Sequence, residues 1–122
     1  MSWRSGTENE SGDSFVENRT VLFPKAKGAA DSSGTLFDSS SFGSSSGAIQ
    51  DILFTLGALG TVNLGTPGDP GKWISDMTFP AAGGLTKHWS DDPALCPQSG
   101  AASDIVISVS DAAWSAAAVI SY

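Results

Sequence analysis

Cysteine is almost missing from this 122-residue chain, with Cys96 the sole example. A single thiol excludes an intrachain disulfide and leaves a structural zinc site, which needs four Cys or His ligands, out of reach. Histidine is as scarce, since His88 has no second histidine to join it in a catalytic metal set. Basic residues are few: six Lys and Arg stand against thirteen Asp and Glu, for a net charge of −7. The deficit is uneven. Residues 1–31 hold Arg4, Arg19, Lys25 and Lys27 and are close to balanced, whereas residues 32–122 hold only Lys72 and Lys87 against eight aspartates. Phosphate backbones require a cationic surface, so nucleic acid is excluded as an expected partner.

Long apolar runs are also missing. No stretch approaches the roughly 20 residues that span a bilayer, and no membrane partner is expected. Met1-Ser2-Trp3-Arg4-Ser5-Gly6 leads into acidic and polar residues with no apolar core of a leader and no lipidation pattern. The expectation is a soluble chain that keeps its first residues and whose Asn9-Glu10-Ser11 and Asn18-Arg19-Thr20 acceptor patterns stay unmodified. A nucleophile elbow, a dinucleotide fingerprint and a heptad repeat are missing too. Gly71-Lys72 hints at a phosphate loop, but Thr66 and Trp73 occupy positions where that loop needs Gly and Ser or Thr.

What the chain does have is patterned apolar residues in its second part. Ile49, Ile52, Leu53 and Leu56 fall at i, i+3, i+4 and i+7, which predicts a short helix over 48–56 with one buried face, capped by Ser46 or Gly47 and ended by Gly57. Ser103 to Ser110 is rich in β-branched residues, with Ile105, Ile107 and Val109 on one face, and reads as a strand. Trp73 to Phe79 reads as another, its greasy face formed by Trp73, Met77 and Phe79, and closed by Pro80. Ala118 to Tyr122 reads as a last strand beside 103–110. Residues 65–72 and 81–97 are dense in turn formers and read as loops. The fold class expected is a small, mainly β (α+β) domain over 47–122 with one short helix.

Residues 1–46 are different. Leaving alanine aside, they hold ten apolar residues, against 24 in residues 47–122. Ser32-Ser33-Gly34, Ser39-Ser40-Ser41 and Ser44-Ser45-Ser46 separate small apolar clumps. Such a segment cannot offset its ordering entropy alone, so it reads as an extended arm that wraps its own domain or a neighbouring chain; as a strap that drops anchors into a partner, its expected partner-binding residues are Phe15, Phe23, Phe37 and Phe42.

His88, Asp91, Asp92 and Cys96 form the nearest thing to a chemical cluster. Eight residues of Pro-interrupted loop between His88 and Cys96 give no scaffold to orient a thiolate–imidazole pair, so the expectation is a surface histidine and a cysteine tucked under a loop, with no catalytic residue, metal or cofactor.

In the layout of the chain, a Ser/Gly-rich arm ahead of a compact β domain that ends in the small apolar strand within Ser103–Tyr122, the protein resembles the small auxiliary structural proteins of tailed bacteriophage virions, the capsid decoration or cement proteins among them. No single residue is carried over. The resemblance implies a non-enzymatic virion component, assembled in the host cytoplasm, whose arm staples neighbouring subunits, with the major capsid protein or copies of itself as partners and a homo-oligomeric arrangement in the particle. Neck, tail and fibre components share the same layout. Two other classes compete: a secreted or surface-attached binding module with a flexible stalk and a pocket near Trp73 and Trp89, and a small hydrolase using Cys96 with His88. A ligand pocket would mark the first; fast thiol alkylation near neutral pH would mark the second.

Overall fold

A computed structural model of the protein describes residues 19–122. Among the described residues nine strands form two antiparallel sheets: β1 (Val21–Leu22), β2 (Lys25–Gly28), β3 (Ser32–Phe37), β4 (Ala48–Leu56), β5 (Gly60–Thr66), β6 (Asp69–Phe79), β7 (Gly83–His88), β8 (Ile105–Ser110) and β9 (Trp114–Ser121). The first sheet runs β1-β9-β4-β7, with β2 following β1 along the same strand β9; the second runs β3-β8-β5-β6. Their inner faces share one core, in which Phe37, Ile49, Ile52 and Phe54 meet Val62, Leu64, Ile105 and Ile107. The fold is mainly β, as expected, and it is a two-layer sandwich.

The predicted helix is not there. Residues 48–56 are β4, paired antiparallel with β9 on one side and β7 on the other; among the described residues the only helical elements are single 3-10 turns at Ser39–Phe42 and Pro93–Leu95. The cause is a β-bulge. Pairing shifts between Ile49, opposite Ile120, and Asp51, opposite Val119, so Gln50 is an extra residue on this strand. An inserted residue flips the alternation, and Ile49 and Ile52 both face the core although they lie three apart. Beyond the bulge the period is two: Ile52, Phe54 and Leu56 are buried while Leu53 and Thr55 face outward. Leu53, counted in the helical stripe, is 47% exposed.

A second bulge corrects the reading of residues 73–79. Strand β6 begins earlier, at Asp69, after a two-residue turn at Pro67-Gly68, and its pairing with β5 jumps from Met77 opposite Val62 to Ile74 opposite Leu64. Asp76 adopts a left-handed φ of 51° at the jump and its backbone N–H donates to Asn63 Oδ1 at 2.9 Å. Ile74 thereby turns inward with Met77 and Phe79. The strand at 105–110 is as predicted, with Ile105, Ile107 and Val109 buried. Residues 114–121 are indeed a strand, but β9 pairs with β1, β2 and β4 in the opposite sheet rather than with its upstream neighbour β8. Residues 83–88, read as loop, are strand β7 on the edge beside β4.

The boundary expected at residue 46 does not divide the sandwich. Strands β1 and β2 edge the first sheet against β9, and β3 edges the second against β8. The serines and glycines of 28–47 are fitted to this role. Trp114 Nε1 donates to Ser32 Oγ at 2.9 Å, and its ring lies so close to β2 and β3 that a Cβ at Gly28 would come within 2.7 Å of Nε1 and one at Gly34 within 2.8 Å of Cη2. Asp38 caps the first 3-10 turn by accepting from the backbone N–H of Ser40 at 3.2 Å, and the Ser40 and Ser41 hydroxyls also donate to it. Those hydroxyl bonds, Ser40 first, hold the Asp38 carboxyl below the usual carboxylate range. Ser39 is buried, with its N–H donating to Asp104 Oδ1 at 2.8 Å and its hydroxyl to the Ser45 carbonyl at 2.7 Å. A stretch that looks like linker is a set of turns with paired polar groups.

Candidate protein-binding surface

The four phenylalanines expected to bind a partner divide three ways. Phe15 lies outside the described residues. Phe37 is 1% exposed and stacks on Phe42, ring centroids 5.3 Å apart, with Tyr122 4.6 Å from Phe42. Both belong to the protein's own core, because the 3-10 turn at Ser39–Phe42 folds Phe42 back over Phe37. Phe23 is 72% exposed and remains available.

Phe23 sits on the outer face of the first sheet, and the register there defines a surface. Lys25, Ala117, Leu53 and Thr86 form one row across β2, β9, β4 and β7; Lys27, Ser115, Thr55 and Gly84 form the next. Adjacent strands lie about 4.8 Å apart, so the long side chains of β2 and those of β4 stand about 10 Å from each other with the short Ser115 and Ala117 of β9 between them. The result is a trough of about 550 Å³ along β9, walled by Lys25 and Lys27 on one side and by Leu53 and Thr55 on the other. A second hollow of about 290 Å³ continues it, lined by Phe23, Val119 and the other flank of Leu53. Val21, 45% exposed, extends the apolar surface along β1. Contiguous exposed apolar area on an otherwise polar molecule is the kind of surface that docks another protein, a membrane or a ligand. The lysines add a cationic wall to a chain of strongly negative net charge.

The signal for this surface was in the sequence but incomplete. Lys25-Ala26-Lys27 and Ser115 to Val119 each alternate, yet only long-range pairing brings residues 25, 117 and 53 into one row. Lys72 of the phosphate-loop-like Gly71-Lys72 lies on β6, in the other sheet.

His88 and Cys96 occupy different environments. His88, the last residue of β7, is opposite Asp51 of β4, and its Nδ1 lies 2.6 Å from Asp51 Oδ1 while Nε2 lies 3.4 Å from Asp91 Oδ1. These are solvent-exposed contacts. Cys96 is buried under the 90–98 loop, its thiol donating towards the Ser90 and Asp92 carbonyls at 3.3 and 3.4 Å. Burial, more than any neighbouring charge, pushes its pKa up, which disfavours the thiolate a nucleophile requires. Among the described residues no group of three or more His, Cys, Asp or Glu is placed to hold a metal ion.

No family model matches the chain, and no curated protein matches it in sequence. Among solved structures, a chain described as "Cyanophage Pam1 capsid asymmetric unit" is similar over 95% of this chain and 92% of that one, with a TM-score of 0.40 and 14% sequence identity. A likeness of that degree establishes neither a shared fold nor a shared role.

Proposed function

We propose that this protein is a non-enzymatic structural component of a virus particle, of the capsid decoration or cement type, which binds protein through the outer face of its first sheet. The observation that carries the reading is that face: Val21, Phe23 and Leu53 expose large apolar side chains around a trough, where a free-standing sandwich would present polar alternation. Its partners are other protein copies in a repeating array, the major capsid protein or the chain itself, and its place is the virion. Phe23 is the anchor retained from the four expected, joined by Leu53 and Val119.

The test is fractionation of virions from the source on a density gradient, followed by electron microscopy with a label on this chain. The expected result is co-sedimentation with particles at fixed stoichiometry and regularly spaced label on the capsid. Recovery of the chain only in the free-protein fractions overturns the reading.

A further inference from the structure

The trough on the first sheet has the shape of a groove for one extended strand. Its walls stand two strand spacings apart and its floor is small side chains, so a second flat sheet face would bridge over it without touching Ser115 or Ala117, whereas a single peptide would enter it. What enters must be apolar enough for Leu53, Val119 and Phe23 and acidic enough for Lys25 and Lys27, which are two of the six cations in the chain.

The chain itself carries such a peptide. Residues 5–18 contain Glu8, Glu10, Asp13 and Glu17 with no basic residue, and include the apolar pair Phe15-Val16. Glu8 and Glu10 are two positions apart, as are Lys25 and Lys27, so in extended backbone both pairs repeat at about 6.6 Å. We infer that residues 5–18 of a second copy dock in this trough, exchanging N-terminal segments between neighbours.

The exit of the described chain favours a second copy over the chain's own segment. Thr20 pairs its N–H and carbonyl with Tyr122, at 3.1 and 3.0 Å, in line with β1. Residues 19–20 therefore enter β1 from beyond the end of β9, on the side away from Lys25 and Lys27. From Thr20 to the Lys25 row is about 17 Å along the sheet, and Phe15, five residues before Thr20, reaches at most about 18 Å even when fully extended. A reversal consumes that reach. After such a reversal the segment's apolar pair reaches only the near, Phe23–Val119 end of its own trough, whereas a neighbour's segment has the whole length open to it. The inference rests on the proposed repeating assembly, where high local concentration favours exchange.

The experiment uses the full chain with Cys96→Ser. One preparation carries Ser11→Cys and a second, differently tagged, carries Ser115→Cys on the trough floor; they are mixed and treated with a short bismaleimide. The expected result is a cross-link between the two tags that is lost with Lys25→Glu/Lys27→Glu in the Ser115→Cys partner and returns when Glu8→Lys/Glu10→Lys is placed in the Ser11→Cys partner. A chain carrying both cysteines reports the other route: purely intramolecular closure means that the segment covers its own trough and overturns the inference. Absence of any cross-link, or failure of the charge swap to restore it, overturns it as well. Gradient fractionation separates the two readings. Co-sedimentation with particles without the cross-link sinks the docking and leaves the virion role; the cross-link in a chain that never co-sediments sinks the virion role and leaves the docking.

Discussion

At Gly34 one hydrogen atom decides whether Trp114 fits between β2 and β3. A methyl group there would stand 2.8 Å from the indole Cη2, closer than carbon atoms approach, and the ring is held in place by its bond to Ser32. Gly34→Ala is expected to lower stability by about 1–3 kcal/mol, the usual cost of overpacking a well-filled site, and thermal unfolding read by Trp fluorescence checks it. An unchanged melting temperature would mean that the ring moves freely. Cys96 supplies a second measurement. Its raised pKa, caused first by burial, means that the folded state favours the neutral thiol. That contribution is complete below the ordinary thiol pKa and fades as pH climbs towards the folded value, so alkaline conditions weaken the fold through this group. Native protein at mildly alkaline pH is expected to react with a thiol reagent far more slowly than protein in denaturant. Equal rates would place the sulfur at the surface.

Strand β4 shows how an element can imitate another in sequence. Its pattern of buried residues at 49, 52 and 56 matches a helix because the bulge at Gln50 shifts the alternation by one, and Gln50 is tied in place by Ser121 Oγ donating to its Oε1 at 2.6 Å. The consequence is a paired test. Ile52→Asp buries a lone carboxylate at a cost of several kcal/mol against a typical total of about 5–15, and is expected to unfold the domain. Leu53→Asp, one residue on, faces the trough and is expected to melt within a few degrees of the parent while losing partner contacts. A helix over 48–56 would make both substitutions destructive, so circular-dichroism melts of the two variants discriminate. The strands whose alternation is unbroken, 105–110 above all, were legible in the sequence; the bulges hid the strand at 48–56 behind a helical spacing and the inward turn of Ile74 within 73–79, where Trp73, Met77 and Phe79 do pack against the core as expected. Lys25, Lys27 and Ala117 were illegible as a site, since nothing local says that they share a row. That Phe37 is buried and Phe42 packs against the protein's own core was illegible, because composition does not reveal that the serines around them form turns.

For the whole molecule, the sandwich takes in strands β1, β2 and β3, which lie before residue 47. A chain beginning at Arg19 keeps every strand described here and is expected to retain cooperative unfolding, whereas a chain beginning at Gly47 loses β1, β2 and β3, uncovers β8, β9 and the Trp114 site, and is expected to be unfolded or aggregated. Urea titrations of the two truncations settle the point; cooperative folding of the shorter one would restore the boundary at 46. The place of β9 carries a last consequence. This strand joins β1 and β2 on one side to β4 on the other, pairing Lys25 with Ala117 and Leu53 with Ala117, yet among the described strands it comes last in chain order. Until the ribosome has translated through Ser121 the first sheet has no centre: β1 and β2 lack their partner, and β4 has only β7 beside it. Closure of the first sheet is therefore governed by very long loops, which for two-state β-sandwiches sets refolding times in the range of roughly milliseconds to seconds. During that wait the nascent chain depends on its negative charge to stay apart from its neighbours.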